Sequence, residues 1–201
     1  MASQLCDHLA RDDDLEGLKA ARQNGSPWDE WTCAGAARGG HLPVLQWAQQ
    51  NGCPWDEATC ANAAQGGHLP VLQWARQNGC PWDTRTCSSA AYGGHLSVLQ
   101  WARQNDCPWD AKTCSSAAYE GHLSVLQWAR QNGCPWHEAV IQSYLHKSFN
   151  QLPNFYGPRR WLERELNISW SSSVVQWMNA TDAALDGMLI SDLSHLIKKY
   201  V

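Results

Sequence analysis

Apolar residues along this chain fall into two alternating helical stripes, one narrow and built from small side chains, the other broad and built from large ones. Between residues 29 and 40 the first is plain. Asp29 precedes Glu30-Trp31-Thr32-Cys33 and so places an acidic N-cap ahead of a helical turn. Cys33, Ala36 and Ala37 then share one face at i, i+3 and i+4, and their small size lets a neighbouring helix come close. Gly39-Gly40 supplies a left-handed C-cap. The second stripe is Leu42, Val44, Leu45, Trp47 and Ala48, with Gln46, Gln49 and Gln50 turned to water. Pro43 and Pro70 are tolerated only in a helix's first turn, which fixes its start at His41 and His68. Asn51-Gly52 stops it, and Cys53-Pro54-Trp55 leads onward. The predicted unit is a short helix, a tight turn, a longer helix and a loop.

That unit recurs. Residues 68–94 and 95–121 agree at 22 of 27 positions. A period of this length is the mark of a solenoid, in which each unit buries its apolar face only against its neighbours. The reading is an all-α stack with units at about 1–28, 29–55, 56–82, 83–109 and 110–136, and a half unit at 137–148. In the first unit Leu5, Cys6, Leu9 and Ala10 hold the register, but Ala20 replaces a tryptophan and Arg11-Asp12-Asp13-Asp14 replaces the Gly-Gly turn. A terminal repeat with a wet outer face has that composition. In the half unit Val140, Ile141, Tyr144 and Leu145 bring larger side chains, which ends regular stacking. Residues 149–201 have lost the repeat and are predicted to form a helical C-terminal cap or docking segment.

The formal charge of −4 argues against a nucleic-acid partner, which needs clustered Lys and Arg. No run of about 18 apolar residues is present to span a bilayer. Met-Ala-Ser-Gln-Leu-Cys-Asp-His has neither the basic nor the apolar region of a secretory signal, so a cytoplasmic or nuclear address with reduced thiols is expected. Nine cysteines follow the repeat in two series, Cys6, Cys33, Cys60, Cys87 and Cys114, then Cys53, Cys80, Cys107 and Cys134. Equivalent positions in stacked helices lie roughly 10 Å apart, whereas a disulfide wants Cα atoms about 5.5 Å apart. Ser26 replaces one cysteine without orphaning a partner, and no Cys-x-x-Cys pair occurs. The cysteines therefore read as small core residues. His41, His68, His95 and His122 form another ladder, but Asp14 holds that place in the first unit, so capping or turn hydrogen bonding is expected rather than metal binding. No cofactor and no metal are predicted. Two indole ladders, Trp28, Trp55, Trp82, Trp109 and Trp136, and Trp47, Trp74, Trp101 and Trp128, are expected in the core, because so short a unit cannot leave both in water and fold.

These residues carry a resemblance. Ala36-Ala37-Arg38-Gly39-Gly40-His41-Leu42 resembles the Ala-Ala-x-x-Gly-His-Leu core of the ankyrin repeat, and Trp31-Thr32-Cys33-Ala34 stands where that family has Thr-Pro-Leu-His. The match recurs at Ala63, Ala90 and Ala117 and covers about residues 5–145. Ankyrin units run near 33 residues, so about six are missing, between the Cys-Pro-Trp loop and the first helix where ankyrins project a β-hairpin finger. The chain is similar to a short Gly-Cys-Pro-Trp-Asp variant found in protists and large DNA viruses. The histidine of the family's first motif is replaced by Ala34, Ala61, Ser88 and Ser115.

The resemblance implies a non-catalytic scaffold or adaptor, a monomer that binds another protein on the concave face of its stack. The residues it places there are Glu30, Trp31, Arg38, Glu57, Gln65, Thr84, Arg85, Ala111, Tyr92, Lys112, Tyr119 and Glu120. Trp31, Arg38, Arg85, Tyr92, Lys112 and Tyr119 make that groove mixed aromatic and charged, rich in types that dominate binding hot spots. The alternative is a His/Cys ladder holding metal or a small ligand. Catalysis is disfavoured because every candidate Cys, His and Asp recurs, whereas an active site needs one unique constellation. His146 and His195 are unrepeated but stand in no recognisable catalytic pattern.

Overall fold

The computed structural model describes residues 3–135. The expectations for Trp136, for the half unit at 137–148 and for residues 149–201 lie outside that range. Within it the chain forms ten helices in five helix–turn–helix pairs: α1 (Ser3–Arg11) and α2 (Leu15–Gln23), α3 (Glu30–Gly39) and α4 (Leu42–Gln50), α5 (Glu57–Gly66) and α6 (Leu69–Gln77), α7 (Thr84–Tyr92) and α8 (Leu96–Gln104), α9 (Ala111–Glu120) and α10 (Leu123–Gln131). No strand occurs among the described residues, so the loops between units carry no hairpin finger there.

Local signals set the helix ends. Asp29, Asp56, Asp83 and Asp110 each accept the N–H two residues on, at 3.1, 2.9, 2.9 and 2.9 Å. Gly40, with φ 81°, takes the left-handed conformation that turns α3 into α4, and His41 N–H closes the turn on Ala36 O at 2.9 Å. In the first unit Asp13 stands there instead with φ 61°, one of the few residue types that tolerate that region.

Leu18, Leu45, Leu72, Leu99 and Leu126 are fully buried, with Val44, Val71, Val98 and Val125 beside them. First helices pack closely on one another along the stack, because their contact faces are Cys33, Ala36 and Ala37 and the equivalents of these. Second helices scarcely meet between units. Narrow packing on one side and splayed packing on the other curves the stack, with first helices inside and second helices outside.

Two expectations change. Leu5 is exposed, because it aligns with Thr32, a residue buried against the preceding unit, and α1 has no preceding unit. The indoles do pack against the core, but they are half-buried rather than sealed from water. Each loop indole meets the indole of the adjoining second helix edge-on, Trp28 with Trp47 at 5.8 Å and Trp109 with Trp128 at 6.0 Å between centroids. The splay of the second helices leaves their outer edges wet.

All nine cysteines are buried and free. Comparing positions only within each series missed their arrangement, since the two series meet inside each unit. Cys33 pairs with Cys53, Cys60 with Cys80, Cys87 with Cys107 and Cys114 with Cys134. Cys53, Cys80, Cys107 and Cys134 further donate to the carbonyls of Asp29, Asp56, Asp83 and Asp110 at 3.4 to 3.5 Å. The bond between thiols, reinforced by burial, pushes Cys33, Cys60, Cys87 and Cys114 far above the ordinary range. In the last pair Cys134 is pulled down, because its thiolate accepts from Cys114. Alkylation by iodoacetamide at pH 8 should accordingly be about a hundredfold or more slower in native protein than in denaturant, with Cys134 first to react. Peptide mass spectrometry reads this directly, and rapid labelling of Cys60 or Cys87 in the folded protein would contradict the packing.

Candidate protein-interaction face

First helices present their unburied positions to the inside of the curve. The second residue of successive helices gives Trp31, Ala58, Arg85 and Lys112, and the residue before the turn gives Arg38, Gln65, Tyr92 and Tyr119. Trp31 is 57% exposed, Tyr92 45% and Tyr119 57%, whereas among the described residues the other large apolar side chains, Leu5 apart, are buried or half-buried. Exposed aromatic side chains grouped on one face mark binding surfaces more often than isolated ones do. Arg38, Arg85 and Lys112 are exposed as well, and Glu30, Glu57, Gln65, Thr84, Ala111 and Glu120 are half-buried around them.

The polar groups are partly tied to one another across units. Arg38 Nη1 donates to Gln65 Oε1 at 2.7 Å. Arg85 Nε donates to Asp83 Oδ2 at 2.8 Å, and its Nη2 lies 3.6 Å from Glu57 Oε2. The hydrogen bond that Arg85 donates to Asp83, with the charges of Asp83 and Glu57, raises Arg85 above its ordinary value. These links align the side chains before any partner arrives, which lowers the entropy lost on binding.

The histidine ladder holds the stack together rather than capping its own helices. No side-chain cap bond forms at His41, His68, His95 or His122. Instead each Nε2 reaches a carbonyl at the end of the preceding unit's first helix, that of Arg11, Arg38, Gln65 or Tyr92, at 2.9 to 3.0 Å. A carbonyl only accepts, so Nε2 carries the proton. Asp14, at the same position in the first unit, does cap its helix and accepts from Gly17 N–H at 2.7 Å. Among the described residues no three His, Cys, Asp or Glu side chains converge as a metal site. No described helix is long and apolar enough to cross a membrane.

No protein-family model and no curated protein matches the chain. Among solved structures it is similar to the human ASB11 ankyrin repeat domain, with a TM-score of 0.55 and 13% identity over 75% of this chain and 85% of that one. The fold is that of an ankyrin-repeat domain. In this ankyrin-repeat stack, sequence reasoning overlooked the outer face, where arginines lie over the loop indoles. Arg22 covers Trp28 at 4.0 Å, Arg76 covers Trp82 at 4.1 Å and Arg103 covers Trp109 at 4.3 Å from the ring centroid. The six-residue spacing of Arg and Trp, which occurs four times along the sequence at 22/28, 76/82, 103/109 and 130/136, was the signal available for it.

Proposed function

We propose that this chain is a non-catalytic scaffold or adaptor, built from a short 27-residue ankyrin-like variant, that binds another protein through the inner face of its stack. The observation that carries this reading is the exposure of Trp31, Tyr92 and Tyr119 on that face, beside Arg38, Arg85 and Lys112. Ankyrin-repeat folds generally serve as protein-interaction scaffolds, which agrees with it. Glu30, Glu57, Gln65, Thr84 and Glu120 form the polar rim of the proposed site. The protein acts as a monomer in the cytoplasm in this reading, and uses neither cofactor nor metal.

The test is Tyr92→Ala with Tyr119→Ala, measured against a partner captured by the wild-type chain. Both side chains are exposed, so the fold should be unchanged by circular dichroism. Loss of two hot-spot aromatics should cost about 2 kcal/mol or more of binding, roughly a thirtyfold weaker Kd. Unchanged affinity in titration calorimetry would reject the inner face as the site.

A further inference from the structure

Charge is unevenly distributed over the stack. The second helices carry Lys19, Arg22, Arg76, Arg103 and Arg130 against a single acid, Glu16, in a chain whose total is −4. Glu16 is taken up by Lys19 at 2.7 Å. Among the described residues Arg22, Arg76 and Arg103 have no carboxylate within ion-pair distance. Each guanidinium is nevertheless fixed in place. It lies over the next indole, and its Nη1 donates to a loop carbonyl, that of Ser26, Cys80 or Cys107. A guanidinium held on an indole, with its other N–H groups uncommitted, is prepared for a planar two-oxygen acceptor and loses little freedom on meeting one.

Next to Arg103 the outer surface opens into a cleft of about 420 Å³ lined by Gln100, Gln104, Trp109, Trp128 and Asn132. Primary amides both donate and accept, which matches the N–H and C=O groups of a peptide backbone. Arg76 and Arg103 hold equivalent positions in adjacent units, so they recur at one interhelical spacing, roughly 10 Å. Three residues of extended polypeptide span about the same distance. A nucleic-acid strand fits less well: it needs denser cations and free aromatic faces, and here one face of each covered indole is occupied by arginine.

We infer that the outer face of α6, α8 and α10, centred on Arg76 and Arg103 and on the cleft between α8 and α10, is a second docking site for an acidic, extended polypeptide segment. It is distinct from the inner face, so the two readings stand or fall separately.

The experiment uses the full chain and fluorescein-labelled poly-L-glutamate in low-salt buffer at pH 7. The variant is Arg76→Gln with Arg103→Gln. The second unit already has Gln49 in this column, which shows that the scaffold accepts glutamine there. Anisotropy should show binding to wild type that weakens with added salt, and about tenfold weaker binding to the double variant. Tyr92→Ala with Tyr119→Ala should leave poly-L-glutamate binding unchanged. Equal binding by the arginine double variant, verified as folded by circular dichroism, would overturn the proposal, as would no binding to wild type. Tighter binding of oligodeoxythymidylate or heparin than of poly-L-glutamate would overturn the polypeptide assignment.

Discussion

Gly67→Ala should destabilise the stack by roughly 3 kcal/mol or more, while Gly79→Ala should cost only about 1 kcal/mol. Both glycines have a left-handed backbone, φ 78° and 83°. Entering that region costs an L-residue about 1–2 kcal/mol, and alanine returns about 0.4–1 kcal/mol by restricting the unfolded chain. That balance is all Gly79 faces, since a Cβ there meets nothing within 4 Å. In the next unit Asp106 already occupies the same turn with φ 62°. At Gly67 the added carbon would stand 2.6 Å from Cε1 and Nδ1 of His95. The ring would have to shift, and with no carboxylate to hold it, as Asp13 holds His41 on Arg11 O, it would lose the bond to Gln65 O, worth about 0.5–1.5 kcal/mol, with further loss from repacking. The first unit shows what a side chain at this position must provide: Asp13 Oδ1 lies 3.3 Å from His41 Nδ1. Gly67→Asp should therefore be milder than Gly67→Ala. Urea denaturation orders the three variants, and equal midpoints for Gly67→Ala and Gly79→Ala would mean that the histidine seats do not hold units together.

The same histidines show where sequence reasoning reaches its limit. Caps and turns were legible because their determinants are local: Asp29 reaches two residues ahead, Gly40 turns on its own φ, and Pro43 sits in the first turn of α4. The partner of His68 is the carbonyl of Arg38, 30 residues earlier, and no local pattern points to a backbone oxygen at that distance. The thiol pairs failed for a related reason. Their spacing of 20 residues lies inside one unit, whereas the comparison ran along the 27-residue period. Trp31, Tyr92 and Tyr119 could be expected on the inner face only through the ankyrin resemblance, since Tyr92 and Tyr119 are themselves repeated letters; all three are exposed. How much of each indole stays wet depends on the angle between second helices, which composition does not encode.

The period also repeats a flaw. Thr32, Thr59, Thr86 and Thr113 occupy one position on successive first helices, and all four are buried. Thr32 Oγ1 donates to Asp7 Oδ1 at 2.8 Å. The residues aligned with Asp7 in later units are Ala34, Ala61 and Ser88, and Thr59, Thr86 and Thr113 have hydroxyls without a partner. An unsatisfied buried hydroxyl costs about 1–3 kcal/mol. Valine has the same shape and nearly the same helix propensity. The triple variant Thr59→Val, Thr86→Val, Thr113→Val should thus be more stable than the natural chain by about 3 kcal/mol, provided the sites are independent. Thr32→Val should move the other way by about 1 kcal/mol, because it removes a bond that is made. The contrast in sign is the test, read as urea midpoints at constant m-value. A triple variant no more stable than wild type would mean that those hydroxyls are satisfied, and that this column contributes hydrogen bonds in every unit rather than only beside Asp7.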